Sequence, residues 1–223
     1  MSNISNRFVI ITGLFIACLI TANIIIVKQI AVGPFILPAA IIIFPISYIL
    51  SDVLTEVYGY SQARRVIWLG FICNLFAVIA ILIGQVLPAA ATFEGQAAYE
   101  TILGSTPRFL AASFVAYLAG EFTNSFILSK MKIATKGKWL WTRTIGSTVA
   151  GQGIDTVIAL SISFAGVIAW PVLGAMMLSH WLFKCVYEIA ATPLTYLVVN
   201  YLKKKEQMDV YDYTTNYNPL RFN

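Results

Sequence analysis

The sequence predicts an all-α membrane protein with six transmembrane helices, and three observations lead to this fold class. Apolar residues make up 59% of the 223 residues and charged residues only 11%, well outside the usage of ordinary soluble proteins. Mostly apolar runs recur along the chain, each close to the roughly 20 helical residues that cross a hydrocarbon core. They are too long for the strands of a transmembrane barrel. Lys and Arg concentrate in alternate connecting segments, as expected for a chain that crosses a membrane repeatedly.

The first two spans have contrasting sequences. The first run begins at Phe8, has about 20 residues and is followed by no A-x-A-like site, so we interpret it as a span rather than a signal peptide. Pro38 and Pro45 lie within the second span and Pro34 just before it, which predicts a bent or broken helix. The six spans are expected near residues 8–27, 35–51, 66–88, 107–130, 143–168 and 172–200.

The later spans are separated by short polar segments. Residues 89–106 carry two Glu and no Lys or Arg, and are expected to form a short amphipathic helix across the outer mouth. The fifth span contains Asp155, the one charged residue between Arg143 and Lys184. The sixth is long enough to tilt or to extend past the interface.

The distribution of positive charge predicts the orientation in the membrane. With the N-terminus inside, only Lys28 and Arg108 fall in outer segments. This bias predicts that both termini lie in the cytoplasm. It also attributes the net charge of +5 to orientation in the membrane rather than to binding of nucleic acid. The inner segments hold Arg7, Arg64, Arg65, Lys130, Lys132, Lys136, Lys138, Arg143, Lys203, Lys204, Lys205 and Arg221.

The chain divides into one membrane domain, residues 1–205, and a polar cytoplasmic tail, residues 206–223, which is expected to be loosely ordered. Six spans permit a three-plus-three inverted repeat, although the chain shows no strong internal sequence repeat. Small-residue helix faces make a homodimer plausible.

Polar residues inside the spans are the candidate functional residues, because a charge in the bilayer is costly and usually faces a cavity or a partner. Asp155 lies twelve residues after Arg143, about 18 Å along a helix and near mid-membrane. Gln152 shares its face. Lys184 lies at a similar depth on the sixth span, with Glu188 one turn further in.

Further polar residues lie in the inner half of the bundle. Glu121 and Asn124 share a face of the fourth span, and Asp52 and Glu56 are four residues apart at the inner end of the second. Asn23 and Asn74 are single polar residues on the first and third spans, where interhelical hydrogen bonding is the favoured interpretation. Several aromatic residues, including Tyr48, Tyr117 and Trp181, are attributed mainly to packing, although one or two could stack on a ring.

Several of these residues also have structural interpretations. Lys184 and Glu188 could form an ion pair within one helix. Asp52 and Glu56 could cap the following helix at the membrane edge and offset Arg64 and Arg65. Asp155 and Gln152 are best explained by a cavity, because no basic residue on their own helix is close.

The glycines near Asp155 have two interpretations. Gly146, Gly151 and Gly153 could allow close helix packing, or could present a surface for a flat ligand.

The motifs exclude several function classes. The stretch GQGID departs from the G-x-G-D of an intramembrane aspartyl protease, and no Ser/His pair or metal-ligand spacing suggests an enzyme or a cofactor. An ion channel would more naturally present rings of like charge. Mixed charges and amides near mid-membrane favour a transporter of a small polar molecule. No nucleotide-binding motif is present, so a secondary carrier or a facilitator is favoured.

Four stretches, SDVLTEVYGYSQARRVIW, GEFTNSFILSKMK, RTIGSTVAGQGIDT and FKCVYEIAATPLTYLVVNYLKKKE, resemble the queuosine precursor transporter family, also called the vitamin uptake transporter family. The resemblance covers nearly the whole chain. It implies a multi-pass protein of the bacterial cytoplasmic (inner) membrane that imports 7-deazaguanines such as 7-cyano-7-deazaguanine, 7-aminomethyl-7-deazaguanine or queuine. It implies no binding of nucleic acid. The motif positions suggest as functional residues Asp52, Glu56, Glu121, Asn124, Arg143, Gln152, Asp155, Lys184 and Glu188.

The chemistry of these residues suits such a substrate. Asp155 or Glu188 is expected to accept from the guanine N–H edge, because a carboxylate accepts two parallel N–H bonds well. Gln152 and Asn124 would assist, and Lys184 would hold a carbonyl or balance Glu188. Glu121 is also assigned to substrate binding. The alternative function is the substrate-capture subunit of an energy-coupling-factor vitamin transporter.

Coupling and gating are assigned to residues nearer the inner face of the membrane. Asp52, Glu56 and Arg143 are the candidates for this role. A buried carboxylate could carry a proton, and Asp52, Glu56, Glu121 and Asp155 are all candidates for that step.

Overall fold

The computed structural model describes residues 5–32, 35–104 and 107–221, and it confirms the predicted fold class. Within these residues, six helical segments are long and apolar enough to cross a membrane. The elements in chain order are α1 (Asn6–Ile25), β1 (Gln29–Val32), β2 (Phe35–Pro38), a 3-10 turn (Ala39–Ile42), α2 (Phe44–Tyr58), α3 (Tyr60–Val86), α4 (Gln96–Leu103), α5 (Pro107–Ala134), α6 (Leu140–Phe164) and α7 (Trp170–Glu206).

The second span is broken, as its prolines predicted. An antiparallel hairpin of β1 and β2, which pairs Gln29 with Pro38, precedes it, and the chain then makes a 3-10 turn before α2 begins. Pro45 lies in the first turn of α2, where its missing N–H costs no helical hydrogen bond. Pro34 lies outside the described residues. The hairpin was not predicted, because its apolar sequence continues into the span without a polar boundary.

Helix α2 is the central helix of the bundle and extends further than predicted, to Tyr58. In its most apolar window 72% of the residues are buried, against 19–33% for the other five spans. Gly59 separates α2 from α3 with a φ of +83°, and an added Cβ would lie 2.7 Å from Val210 Cγ1. This position therefore requires glycine for both its backbone conformation and its packing.

The apolar core forms where α1, α2, α3, α5 and α7 meet. Phe15, Val53, Val57 and Leu128 are fully buried there or beside it, whereas Phe76 is 73% exposed on the outside of the bundle. Lipid is as apolar as these side chains, so close packing and interhelical hydrogen bonds hold such helices together.

Asn23 and Asn74 supply one of the interhelical hydrogen bonds. The Nδ2 of Asn23 donates to the Oδ1 of Asn74 at 2.9 Å and thereby joins α1 to α3. This contact confirms the interpretation of both residues as structural.

Helices α5 and α6 approach each other most closely at two glycines. A Cβ added to Gly151 would lie 2.8 Å from the Cβ of Asn124, and one added to Gly120 would lie 2.8 Å from the Cβ of Asp155. Gly151 therefore serves helix packing within the chain rather than a surface for a flat ligand. Since this small-residue face is already covered by α5, it gives no support to a homodimer.

The start of α1 and the end of α7 lie on the same side of the bundle. Arg7 at the start of α1 donates to Glu206 at the end of α7 at 3.1 Å. We call this side the terminal end; it also holds the end of α2, the end of α5 and the start of α6. Helix α7 has 37 residues, or about 55 Å, and so extends well past a hydrocarbon core of about 30 Å.

At the opposite end, the predicted short helix exists as α4. The hydroxyl of its Tyr99 donates to the carbonyl of Ile81 on α3 at 3.1 Å, and none of its residues is buried. Arg108 at the start of α5 donates to the carbonyls of Ile162 and Ala165, which satisfies carbonyl groups left free at the end of α6.

The prediction of a loosely ordered C-terminal tail is wrong for residues 207–221. Asp212 is buried, and its Oδ2 accepts from the backbone N–H of Tyr60 at 2.9 Å and from Ser129 Oγ at 2.7 Å. Arg64 donates to the carbonyls of Asn216 and Asn218 at 2.8 and 2.9 Å. The tail thus folds back across the terminal end of α2, α3 and α5, because buried donors there have their acceptors in the tail.

Candidate functional site

Four helices contribute carboxyl and amide side chains to one buried polar layer, and five of the six predicted substrate-binding residues belong to it. We call this layer the polar core, and each of its carboxyl and amide residues is at most 5% exposed. They come from α2, α5, α6 and α7. They are Asp52, Glu121, Asn124, Gln152, Asp155 and Glu188.

Paired hydrogen bonds join α2 to α5 at this depth. Asn124 Nδ2 donates to Asp52 Oδ1 at 2.6 Å, and Ser51 Oγ donates to Glu121 Oε2 at 2.6 Å. These contacts hold Asp52 of α2 and Glu121 of α5 at the interface between the two helices. Asp52 is therefore part of the polar core and does not cap the following helix, which was one interpretation of the sequence.

Lys184, the sixth predicted substrate-binding residue, pairs with Asp155 and not with Glu188. Its Nζ lies 2.7 Å from Asp155 Oδ2, donates to Thr156 Oγ1 at 3.3 Å, and lies 4.8 Å from the ring centroid of Phe44. The alternative of an ion pair within α7 is therefore wrong, because the ammonium turns to the facing helix α6. Asp155 has a cationic partner after all, which its own helix could not reveal.

The polar core contains a concentration of buried side-chain oxygens that have no hydrogen-bond partner in the part of the chain that the structure describes. Leaving one such group unsatisfied costs about 1–3 kcal/mol, so native proteins rarely collect them without a functional reason. Five belong to carboxyl or amide groups and two are hydroxyls. They are Asp52 Oδ2, Glu121 Oε1, Asn124 Oδ1, Gln152 Oε1 and Glu188 Oε1, with Tyr48 OH and Thr148 Oγ1.

The hydroxyl residues of the polar core were not predicted as site residues. Ser51 donates to Glu121, and Thr55 donates to Ser125 Oγ at 3.1 Å. The hydroxyls of Tyr48 and Thr148 are buried and have no partner within residues 5–32, 35–104 and 107–221. Their signal in the sequence is the spacing of Tyr48, Ser51 and Thr55 on α2, which places them on one face of the helix with Asp52.

A second polar site, at the terminal end, surrounds the carboxylate of Glu56. Arg143 donates to both of its oxygens at 2.8 Å, and Lys203 Nζ lies 2.5 Å and Lys132 Nζ 3.6 Å from Oε1. Glu56 and Arg143 are at most 1% exposed. We call these residues, with Asp209 of the tail, the terminal-end network.

Asp209 brings the tail into this network. Its Oδ1 lies 2.5 Å from Lys132 Nζ and 2.8 Å from Lys203 Nζ. Partial burial tends to raise the pKa of Asp209, but hydrogen bonds from Lys132 and Lys203 outweigh it and hold the pKa below its ordinary value. The network therefore links α2, α5, α6, α7 and the tail at one point.

Helix capping at this end also differs from the expectation. Glu56 meets charges from three other helices, and the side chain that caps the start of α3 is Asp212 of the tail rather than Asp52 or Glu56. Asp52 and Glu56 are both fully buried and engaged with other helices, so neither caps the following helix.

Two grooves on the described surface lie outside the polar core. One, of about 540 Å³, lies between α1 and α7 beside Arg7 and Tyr201. The other, of about 360 Å³, lies between α6 and α7 and includes Thr156 and Trp181. Neither groove is lined by a carboxylate of the polar core, whose carboxyl and amide residues are at most 5% exposed.

Comparison with known proteins gives a consistent result. The family described as "Putative vitamin uptake transporter" matches residues 38–198, which include all six residues of the polar core. A "Probable queuosine precursor transporter" of Bacillus subtilis is 27% identical over 191 residues, 84% of this chain and 82% of that protein. No solved structure matches the chain.

Two further relatives carry similar descriptions. A "Probable queuosine precursor transporter" of Haemophilus influenzae is 25% identical over 74% of this chain and 69% of its own length. A "Queuosine precursor transporter" of Escherichia coli is 26% identical over 62% of this chain and 58% of its own length.

Proposed function

The chain belongs to the vitamin uptake transporter family, and from this premise we propose that it imports queuosine precursors across the membrane. It is a multi-pass protein of the bacterial inner membrane and acts on a small molecule. The proposed substrates are 7-deazaguanines, such as 7-cyano-7-deazaguanine, 7-aminomethyl-7-deazaguanine or queuine. We propose that transport proceeds without a catalytic step on the substrate.

The observation that carries this proposal is the excess of unpaired acceptor oxygens in the polar core. A deazaguanine presents several N–H donors along one edge, and carboxylate and amide oxygens are their natural partners. A substrate that supplies these donors would satisfy groups that are otherwise costly to bury. An anionic substrate would instead meet four carboxyl groups and one Lys, which makes the site unfavourable for it.

Within this site, Glu188 is the leading candidate to accept from the guanine N–H edge. One of its oxygens is unpaired, and Gln152 and Asn124 each offer a further unpaired oxygen. Asp155 is held by Lys184, so its use by a substrate would require that ion pair to open. We assign Glu121, which is held by Ser51, to the wall of the same site.

We propose that the terminal-end network closes the cytoplasmic side of this site. The orientation rests on the positive-charge bias of the inner segments. Glu56 and Arg143 connect α2 to α6 by two hydrogen bonds in a fully buried position, so these helices can separate there only after the pair breaks. Glu56 and Arg143 are therefore assigned to gating.

Proton coupling is assigned to Asp52 and Glu121. Each has one unpaired oxygen, and no cation lies within ion-pairing distance of either among the described residues. Both could therefore take up a proton as the site opens. Uptake that persists after the proton gradient is collapsed would remove this assignment and favour facilitated diffusion.

Direct binding of 7-cyano-7-deazaguanine to the purified protein tests the proposed function. We expect saturable binding that guanine displaces weakly and biotin does not displace, and at least tenfold weaker binding by Glu188→Gln. The matched control is Glu94→Gln, which alters an exposed carboxylate of the segment before α4. Absence of binding by folded wild-type protein contradicts the proposal. Transport that requires a partner ATPase in liposomes would favour the energy-coupling-factor alternative.

A further inference from the structure

We propose that the Tyr48 hydroxyl donates a hydrogen bond to the ring carbonyl of the substrate and thereby selects for that carbonyl. This proposal rests on the proposed function and assigns one further contact within the same site. Tyr48 is then a specificity-determining residue.

Tyr48 lies on α2 beside the polar core. It is 1% exposed, and it precedes Asp52 by one helical turn. A Cβ added to Gly120 would lie 3.0 Å from the Tyr48 hydroxyl oxygen and 2.8 Å from the Cβ of Asp155. The hydroxyl therefore lies where α2 faces the close approach of α5 and α6, next to Asp155.

Packing fixes the ring of Tyr48 in this position. Its centroid lies 5.5 Å from that of Phe44, at an interplanar angle of 50°. Phe44 in turn carries the ammonium of Lys184 above its ring at 4.8 Å. The aromatic pair and the Lys184–Asp155 ion pair thus form one continuous wall of the polar core.

Among the described residues the hydroxyl of Tyr48 has no hydrogen-bond partner, which is unusual for a buried tyrosine. Tyr117 on α5 provides the comparison within the same protein. It is also buried, at 7% exposure, but its hydroxyl donates to the carbonyl of Ile67 on α3 at 2.9 Å. Tyr117 is therefore structural, whereas the donor of Tyr48 remains unused.

The balance of donors and acceptors connects this hydroxyl to the substrate. The unpaired carboxylate and amide oxygens of the polar core only accept, and the ammonium of Lys184 is engaged by Asp155 and Thr156. A deazaguanine brings, besides its N–H donors, one ring carbonyl that needs a donor. Among the unpaired buried atoms of the described polar core, the hydroxyls of Tyr48 and Thr148 are the ones that carry a donor.

Tyr48 is the better of these two donors. A threonine hydroxyl on a helix can turn back to the carbonyl four residues earlier, so Thr148 has a local alternative. The hydroxyl at the tip of a tyrosine ring has no such alternative within its own helix. The Tyr48 hydroxyl therefore gains most from a carbonyl on the substrate.

The test compares two ligands in binding to purified, full-length protein. One is 7-cyano-7-deazaguanine, and the other is its analogue with sulfur in place of the ring carbonyl oxygen, which keeps the ring N–H and accepts hydrogen bonds only weakly. We expect the wild type to prefer the carbonyl compound by about five- to tenfold, the value of one buried hydrogen bond. Tyr48→Phe should lose most of that preference while its affinity for the analogue stays within about twofold. Tyr117→Phe is the matched control and should retain the preference.

Several results would overturn the proposal. If Tyr48→Phe weakens the binding of both ligands equally, Tyr48 has a packing role. If the preference for the carbonyl compound is unchanged in that variant, another residue donates to the carbonyl. Loss of the preference in Thr148→Val, but not in Tyr48→Phe, moves the contact to Thr148. A wild type that binds both ligands equally overturns this contact but leaves the proposed function intact, whereas a folded wild type that binds neither overturns both. If Tyr48→Phe does not fold, Tyr48→Met should show the same loss of preference.

Discussion

Replacing Glu56 with Gln tests whether the terminal-end network holds the helices together. The substitution keeps the shape of the side chain and removes its charge. Glu56 is fully buried and lies within ion-pairing distance of Arg143, Lys203 and Lys132. After the substitution, Asp209, with a side chain 42% exposed, is the remaining carboxylate beside these cations.

The size of the effect follows from the hydrogen bonds that the substitution weakens or removes. Arg143 makes two charge-assisted hydrogen bonds to Glu56 and Lys203 makes one. Such bonds contribute about 1.5–3 kcal/mol each, but the amide oxygen of Gln still accepts one weaker bond. Lys203 is 21% exposed and can turn towards water. The expected destabilisation is about 3–5 kcal/mol, the usual result of removing one partner of a buried ion pair.

Thermal unfolding of the purified protein in detergent measures this effect. For a chain of this size, about 3–5 kcal/mol corresponds to a Tm about 6–20 °C lower. Glu94→Gln removes an exposed carboxylate and should leave Tm within about 1 °C. The double substitution Glu56→Gln with Arg143→Met should recover part of the stability, because the fully buried cation that lost its partner is also removed. A Tm for Glu56→Gln within about 2 °C of wild type would refute the reasoning.

Three further predictions concern the tail, the polar core and the helix contact. The pKa of Asp209 is lowered in the folded protein. Docking of the tail through Asp209 should therefore be fully present above about pH 4 and be lost as the pH falls through the lowered pKa. Limited proteolysis of the tail at graded pH measures this loss. Lys184→Met should destabilise the protein by about 3 kcal/mol or more in thermal unfolding, because it leaves Asp155 buried without its cation. Gly151→Ala should cost about 1–3 kcal/mol through overpacking, whereas Gly13→Ala, with nothing within 4 Å of the added Cβ, should not destabilise the protein.

Each of these predictions has a result that contradicts it. Asp209→Asn should abolish the acid-induced release of the tail, and the same release in that variant would place the effect on another group. Adding Asp155→Asn to Lys184→Met should restore stability, so an unrestored double variant contradicts the ion-pair argument. Equal stability of the two Gly→Ala variants would show that α5 and α6 separate without cost.

The sequence predicted the fold more completely than the site. The six spans, the break near Pro38 and Pro45, and the short helix α4 were predictable along the chain, because hydropathy, prolines and length act locally. The end of α2 was placed too early, at residue 51 rather than Tyr58, because the polar residues Asp52 and Glu56 resemble a membrane boundary. Tertiary burial overrode that local signal.

Within the site, residue identity was predictable and partnership was not. The sequence placed Asp155, Lys184 and Glu188 at similar depths, but a pair within α7 and a pair between α6 and α7 are equally compatible with helical spacing. The structure decides for Asp155, at 2.7 Å. The unused hydroxyl of Tyr48 likewise becomes visible only when its neighbours are known.

The sequence by itself thus determined that the chain is a six-span membrane protein with costly polar residues at mid-membrane. Composition and the periodic placement of charge suffice for that, since the transfer of each segment into lipid depends on its own residues. Only the tertiary structure decided which charges pair and that residues 207–221 close over the terminal end. Those contacts join positions far apart in the chain, such as Tyr60 and Asp212. The energy of an ion pair or a buried hydrogen bond depends on distances between helices, and no local sequence pattern encodes those distances.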